Sequence, residues 1–163
     1  MSTVERRPLD FHSYDELIAD IDRLAAEPHR QTGQWDLATM CDHLAKTMNT
    51  VSDNRRATMP FIVRFLSPVI GPMMLKRTLK TRSMPAGFKA PPEFTPDNNL
   101  PVDVAVARLK AAIARAKALS GPVPKHPFFG RITVEQRDGL AFVHAAHHLS
   151  FLLPGEPDHP AGN

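Results

Sequence analysis

Cysteine is nearly missing from this chain: Cys41 stands alone among 163 residues, so no intramolecular disulfide can form and no cysteine-rich metal site is supported. That usage fits a reducing compartment, and the expected location is the cytoplasm. A charge of one sign is lacking too. Twenty Lys and Arg against 17 Asp and Glu leave +3, too small an excess to imply a nucleic-acid partner. Long apolar runs are also missing. The most apolar stretch, Met59 to Leu75, is interrupted by Arg64, prolines and Gly71, which excludes a good membrane span, and no apolar stretch follows the charged N-terminus as a secretory signal would require. The chain has no Gly-rich phosphate loop, no Gly-x-Ser-x-Gly elbow and no Cys-x-x-Cys.

Two residue types are abundant. Proline occurs 16 times, about twice its usual share, and histidine eight times, three of them within five residues. Hydrophobic residues at 42% and charged residues at 23% place the chain among ordinary globular proteins, and its length suits one domain over 1–163. A core of about 10–153 is expected, with a flexible tail over 154–163.

Ser13-Tyr14-Asp15-Glu16 is a capping box, with Glu16 expected to reach back to Ser13, and opens a helix over about 14–27 that Pro28 ends. Asp36 is a good N-cap for a second helix running to about Thr50, with Leu37, Met40, Cys41, Leu44, Ala45 and Met48 on its apolar face. Between Pro60 and Lys80 the pattern is apolar and helical, but Pro68, Gly71 and Pro72 predict a break into two short helices. Thr81 to Pro101, with five prolines, reads as a long crossover without regular structure. Val102, Val106, Leu109, Ile113, Ala116 and Leu119 mark a helix over about 101–120 stopped by Gly121, and Thr133 to Gln136 is a second capping box opening a last helix over about 134–152. Strand alternation is not evident anywhere. The fold class expected is all-α, a helical bundle with one long crossover and a kinked additional helical segment.

His144-Ala145-Ala146-His147-His148 falls inside the last helix. His144 and His148 are about 40° apart around the axis and roughly 6 Å along it, which lets two imidazoles converge on one ion. Two side chains alone hold a metal weakly, and catalytic zinc sites commonly have three protein ligands and one open position. His43, bordering an apolar face on another helix, is the best third candidate. His147 is an alternate ligand or a supporting residue. Imidazoles suit Zn or Ni, and also Fe or Mn, without choosing among them. Ala145 stands where a zincin would carry glutamate after its first histidine, which disfavours metalloprotease chemistry. The same histidines also fit a partly exposed polar face that binds no metal.

His126, before the last helix, is a catalytic candidate or a loop anchor, Cys41 reads as a small buried apolar residue, and Lys76, Arg77, Lys80 and Arg82 read as a solvated face. Phe61, Phe65 and Val69 could cover the bundle or form a dimer contact.

Trp35-Asp36 opening the second helix, His43 eight residues after Trp35, and His144-x-x-His147-His148 together resemble the DinB-like superfamily, regarded as metalloenzymes. Within it, His126-Pro127-Phe128-Phe129-Gly130, then Thr133 and the closing His-x-x-His-His-Leu, resemble the branch catalogued as domain-of-unknown-function family 1569. The resemblance implies an up-up-down-down four-helix bundle, frequently a homodimer, with a divalent metal on His43, His144 and His148. It further implies a small-molecule substrate and chemistry similar to that of thiol-dependent transferases or isomerases, using a low-molecular-weight thiol; hydrolysis is the related expectation. The branch usually continues with Arg-Gln-Phe, where this chain has Ser150-Phe151-Leu152. The alternative from another class is a non-catalytic bundle with a structural metal or a ligand- or partner-binding role.

Overall fold

Ser13 leaves the chain extended and its hydroxyl accepts the Glu16 N–H, which starts α1 at Tyr14–Ala26. The Glu16 carboxylate reaches one residue farther back than expected and accepts the His12 N–H at 2.7 Å. Tyr14, Leu17, Ile21 and Leu24 form the buried stripe. Asp36 caps α2 (Leu37–Ser52) through the Thr39 N–H at 2.8 Å, as its sequence position predicts. α4 (Val102–Ala118) and α5 (Val134–Leu149) complete a helical core, and both halves of the Thr133/Gln136 capping box are present. The computed structural model describes residues 4–52, 61–84, 91–97, 99–119 and 122–155.

α2 packs on α4 and α5, and α1 packs on the same two helices. One cluster of buried side chains runs through all four. Small residues explain the close approach of α2 and α4: Ala38, Cys41 and Ala45 lie on one, Ala105, Ala112 and Ala116 on the other, with Leu109 and Ile113 filling the space between. Val102, expected on this face, is instead exposed, as are all residues from 101 to 104, because the first turn of α4 projects beyond the packed surface.

The apolar segment does not split. α3 is one helix, Phe61–Thr81, with Pro68 and Pro72 inside it. Both prolines lie on its exposed side, where carbonyls that lose an N–H partner are open to water. Its inner side carries Gly71, Leu75 and Thr78. At Gly71 a Cβ would stand 2.5 Å from the Phe128 carbonyl oxygen, so only glycine lets the helix meet the 126–130 turn this closely. A second small cluster of Leu75, Ile132 and Leu140 fastens α3 to α5.

Two three-residue strands, β1 (His29–Gln31) and β2 (Leu152–Pro154), pair antiparallel with Arg30 opposite Leu153. They went unforeseen because three residues are too few to show an alternation. Their pairing also ends α5 at Leu149, three residues earlier than expected, and puts Pro154 in a strand; the rest of the expected tail, from 156, lies outside the described residues. The crossover is described only in part, and there it holds a 3₁₀ turn at Pro92–Phe94. The Gly121 stop lies outside the described residues; α4 ends at Ala118.

The N-terminal segment straps the end of α5. Arg7 grips Asp20 with two bonds of 2.8 Å and donates to the Leu149 carbonyl at 3.1 Å, a cation on the exposed C-terminal carbonyls of a helix. Arg82 is likewise engaged, bonding Asp10 and the Phe11 carbonyl, whereas Lys76, Arg77 and Lys80 are exposed as expected. No helix among the described residues is long and apolar enough to cross a membrane.

Candidate metal centre

α2 and α5 face each other with His43 on one and His144 and His148 on the other, four residues apart. The spacing along α5 puts its two imidazoles on one side, and the α2–α5 contact supplies the third. His144 Nε2 lies 3.3 Å from His43 Nε2 and 3.0 Å from His148 Nε2. One nitrogen from each ring falls within 4.8 Å of the others, close enough for the three to hold a single ion. Two nitrogens bound to one zinc at about 2.0–2.1 Å and roughly tetrahedral angles stand about 3.4 Å apart, so both short separations suit a shared ion.

Each ring is held from outside. The His43 Nδ1–H donates to the Phe94 carbonyl at 2.7 Å, which leaves its Nε2 lone pair facing the other two rings. Trp35 stacks nearly parallel on His148, with centroids 5.2 Å apart, and leans on His43 at 4.9 Å. The tryptophan that opens α2 therefore covers two of the three rings.

Burial, first of all, keeps the cluster neutral. It lowers the pKa of His144 well below 6.5, with His148 and His43 adding to the effect, and holds His148 at about 3. His43 is lowered by the same desolvation, against an opposing pull from the Phe94 carbonyl. At neutral pH all three rings carry a free lone pair and no proton need leave before an ion binds. A single proton on His144 Nε2 cannot serve both of its short contacts, whereas a divalent ion serves all three nitrogens.

The other sequence candidates lie elsewhere. His147 turns toward the N-terminal strap: its carbonyl accepts from Arg6 at 2.6 Å and its ring lies edge-on to Phe151. Cys41 is fully buried in the core, and burial, followed by the Asp36 and Asp42 charges, pushes its thiol up to about 12. His126 anchors its own turn. Its Nδ1 accepts the Phe128 and Phe129 N–H groups, each at 3.1 Å, while its backbone pairs with Gly130 in both directions. With Nδ1 used as an acceptor, the proton of the neutral ring sits on Nε2, and burial keeps the ring neutral, with its pKa near 4.

Sequence reasoning missed Asp42, Phe94 and Arg6. Asp42 is buried beside His43 and accepts from the Asp97 N–H at 2.8 Å, Lys46 at 2.7 Å and Arg108 at 3.1 Å. Burial alone would raise its pKa, but these donors outweigh it and hold the carboxyl below its usual range. Asp42 thereby pins the crossover whose Phe94 carbonyl orients His43. Asp42→Asn should cost about 2 kcal/mol of stability and weaken metal binding roughly tenfold, measured by thermal unfolding and by zinc titration. The carboxylate contribution is present above the unfolded-state pKa and is lost as pH falls through the lowered folded-state value, so the wild-type advantage should shrink below about pH 4. Arg6 places a guanidinium 4.0 Å over the Phe151 ring and donates to Ser150 Oγ at 3.0 Å. A cation from the N-terminus thus lies where the sequence after Leu149 has none.

No curated protein and no solved structure matches the chain. The family described as "Protein of unknown function (DUF1569)" matches residues 3–155, nearly the whole length, and the chain belongs to that family.

Proposed function

We propose that this chain is a metal-dependent small-molecule enzyme whose divalent ion, Zn or Ni before Fe or Mn, is held by His43, His144 and His148 in an up-up-down-down bundle of α1, α2, α4 and α5. Three imidazole lone pairs turned on one point, with no proton able to satisfy them all, support this reading. An ion there would lower the pKa of a thiol or water beside it and so supply a nucleophile at neutral pH, the chemistry of thiol transfer or hydrolysis.

The protein's own residues would do the rest. Phe94 and Trp35 fix the His43 and His148 rings, so the ligand set is built before the ion arrives. The group holds three donors among the described residues, fewer than the four of a closed structural zinc site, which favours an open position over a structural role. His126, with Nδ1 spent on its own turn, keeps its proton on Nε2 and is the chain's candidate hydrogen-bond donor to a bound substrate.

Metal content of tag-free protein, followed by cobalt substitution, tests the reading. About one equivalent per chain is expected, with a cobalt spectrum that changes when a low-molecular-weight thiol is added. Failure to bind any of the four metals would overturn the site. A four-coordinate cobalt spectrum indifferent to thiols and to anions would overturn the enzyme and leave a structural metal.

A further inference from the structure

Between Asp53 and Glu93 the chain carries no acidic residue. Those 39 residues hold eight of the 20 Lys and Arg and none of the 17 Asp and Glu, so this quarter of the sequence is +8 while the rest is −5, a division that the overall +3 hides. α3 lies within it, and one side of that helix stands in water that its composition does not suit. Phe61 is 82% exposed, Phe65 72%, Val69 79% and Met73 65%. Their four-residue steps set them in one ridge, roughly 18 Å long. Lys76, Arg77 and Lys80 continue the same exposed side over the turns that follow, and none of the three pairs with a carboxylate among the described residues.

We infer that the exposed side of α3 docks on an anionic lipid surface, with the ridge from Phe61 to Met73 entering the boundary between headgroups and acyl chains and Lys76, Arg77 and Lys80 meeting the anionic headgroups. A lipid surface is the occupant that answers both halves of this side at once, because it offers hydrocarbon to the ridge and negative charge to the cations beside it. A second copy answers only the first. α3 has no Asp or Glu, so pairing it with itself, in either sense, gives Lys76, Arg77 and Lys80 no carboxylate and adds a second set of cations to the same contact. A phosphate backbone answers only the second, and would leave four large apolar side chains wet. The prolines set the depth. Pro68 and Pro72 lie on the exposed side and each frees a helix carbonyl that needs water, so the helix rests in the interface plane, about 5–10 Å deep, without crossing the hydrocarbon. The inner side stays on the protein, fastened by Leu75 to Ile132 and Leu140.

Sedimentation of the full chain with phosphatidylcholine vesicles containing about 30% phosphatidylglycerol, against vesicles of phosphatidylcholine alone, tests the docking. The wild type should bind the anionic vesicles about a hundredfold more tightly than the neutral ones, since each cation near an anionic surface contributes roughly fivefold, and raised salt should weaken the binding. Lys76→Gln/Lys80→Gln should lose about 25-fold on the anionic vesicles. Phe65→Asp/Val69→Asp should lose about a hundredfold or more. Both variants should keep the circular dichroism and thermal midpoint of the wild type, because all four side chains are exposed. Val104→Asp, on α4, should bind as the wild type does. A wild-type chain that stays in the supernatant with anionic vesicles at low salt would overturn the inference. So would binding that survives Phe65→Asp/Val69→Asp and is competed by duplex DNA, which would make the cations a contact for any polyanion. Sedimentation velocity without lipid supplies the last arm: a chain that ignores the vesicles and runs at twice 18.1 kDa until Phe65→Asp/Val69→Asp divides it would give the face to a second copy instead.

Discussion

His144→Ala should bind no divalent ion at concentrations where the wild-type chain takes up about one equivalent. His144 Nε2 is the point shared by both short contacts, 3.3 Å to His43 and 3.0 Å to His148, so its removal leaves two nitrogens on different helices without the one that joins them. Structural zinc sites of four ligands bind with about 10–16 kcal/mol, or roughly 3 kcal/mol per ligand, so losing one ligand of three should weaken binding by a hundredfold or more. His43→Ala and His148→Ala should behave alike. His147→Ala should retain the metal, because its ring meets Arg6 through Nδ1 at 3.4 Å and lies edge-on to Phe151 and His148, outside the group of three converging nitrogens. Isothermal titration with zinc and metal analysis after dialysis read the effect directly. The metal-free thermal midpoint should change little in His144→Ala, while the rise that zinc gives the wild type should vanish. Normal one-to-one binding in all three ligand variants would remove the site.

Leu109→Ala should be the most damaging single truncation in the core described here, at about 3 kcal/mol. Leu109 is fully buried on α4 among side chains of α1 and α2, and its neighbours along the same face, Ala105, Ala112 and Ala116, are too small to fill the space it vacates. For a chain of this size that loss is a fall in thermal midpoint of roughly 6–12 °C. Leu109→Met, which nearly conserves volume, should lose less than about 1.5 kcal/mol. Thermal unfolding followed by circular dichroism separates the two. α2 carries His43 on the helix that α4 supports, so the alanine variant should also bind zinc more weakly, while the methionine variant keeps its affinity. Equal midpoints in the two variants would show that the α2–α4 packing is not what the buried surfaces indicate.

Local chemistry made much of this protein legible from its residues. Ser13, Asp36 and Thr133 start helices because each offers an oxygen to a backbone N–H that has no partner of its own, and that requirement is met within three residues along the chain. The four-residue step from His144 to His148 likewise fixes two imidazoles on one side of a helix before any folding is considered. Composition alone removed disulfides and a cysteine-rich metal site, and the same local reading placed His43 beside the apolar stripe of α2.

Other features depend on segments distant in sequence. Proline predicted a break in α3, but the intrinsic cost at Pro68 and Pro72 is borne on the exposed side, while Gly71 and Leu75 are fixed from within by the 126–130 turn and by α5. β1 and β2 exist only as a pair drawn from opposite ends of the chain, and each is too short to announce itself. His126 could be read from sequence as an anchor or as a chemical group; the turn assigned one nitrogen to anchoring and left the proton on the other. Capping and helical phase are set by neighbours a turn away, so sequence determined them. The third histidine's partner, the Phe94 carbonyl that orients it and the Asp42 carboxylate that holds that carbonyl in place are set by contacts 51, 55 and 101 residues apart, and only the tertiary structure could decide those.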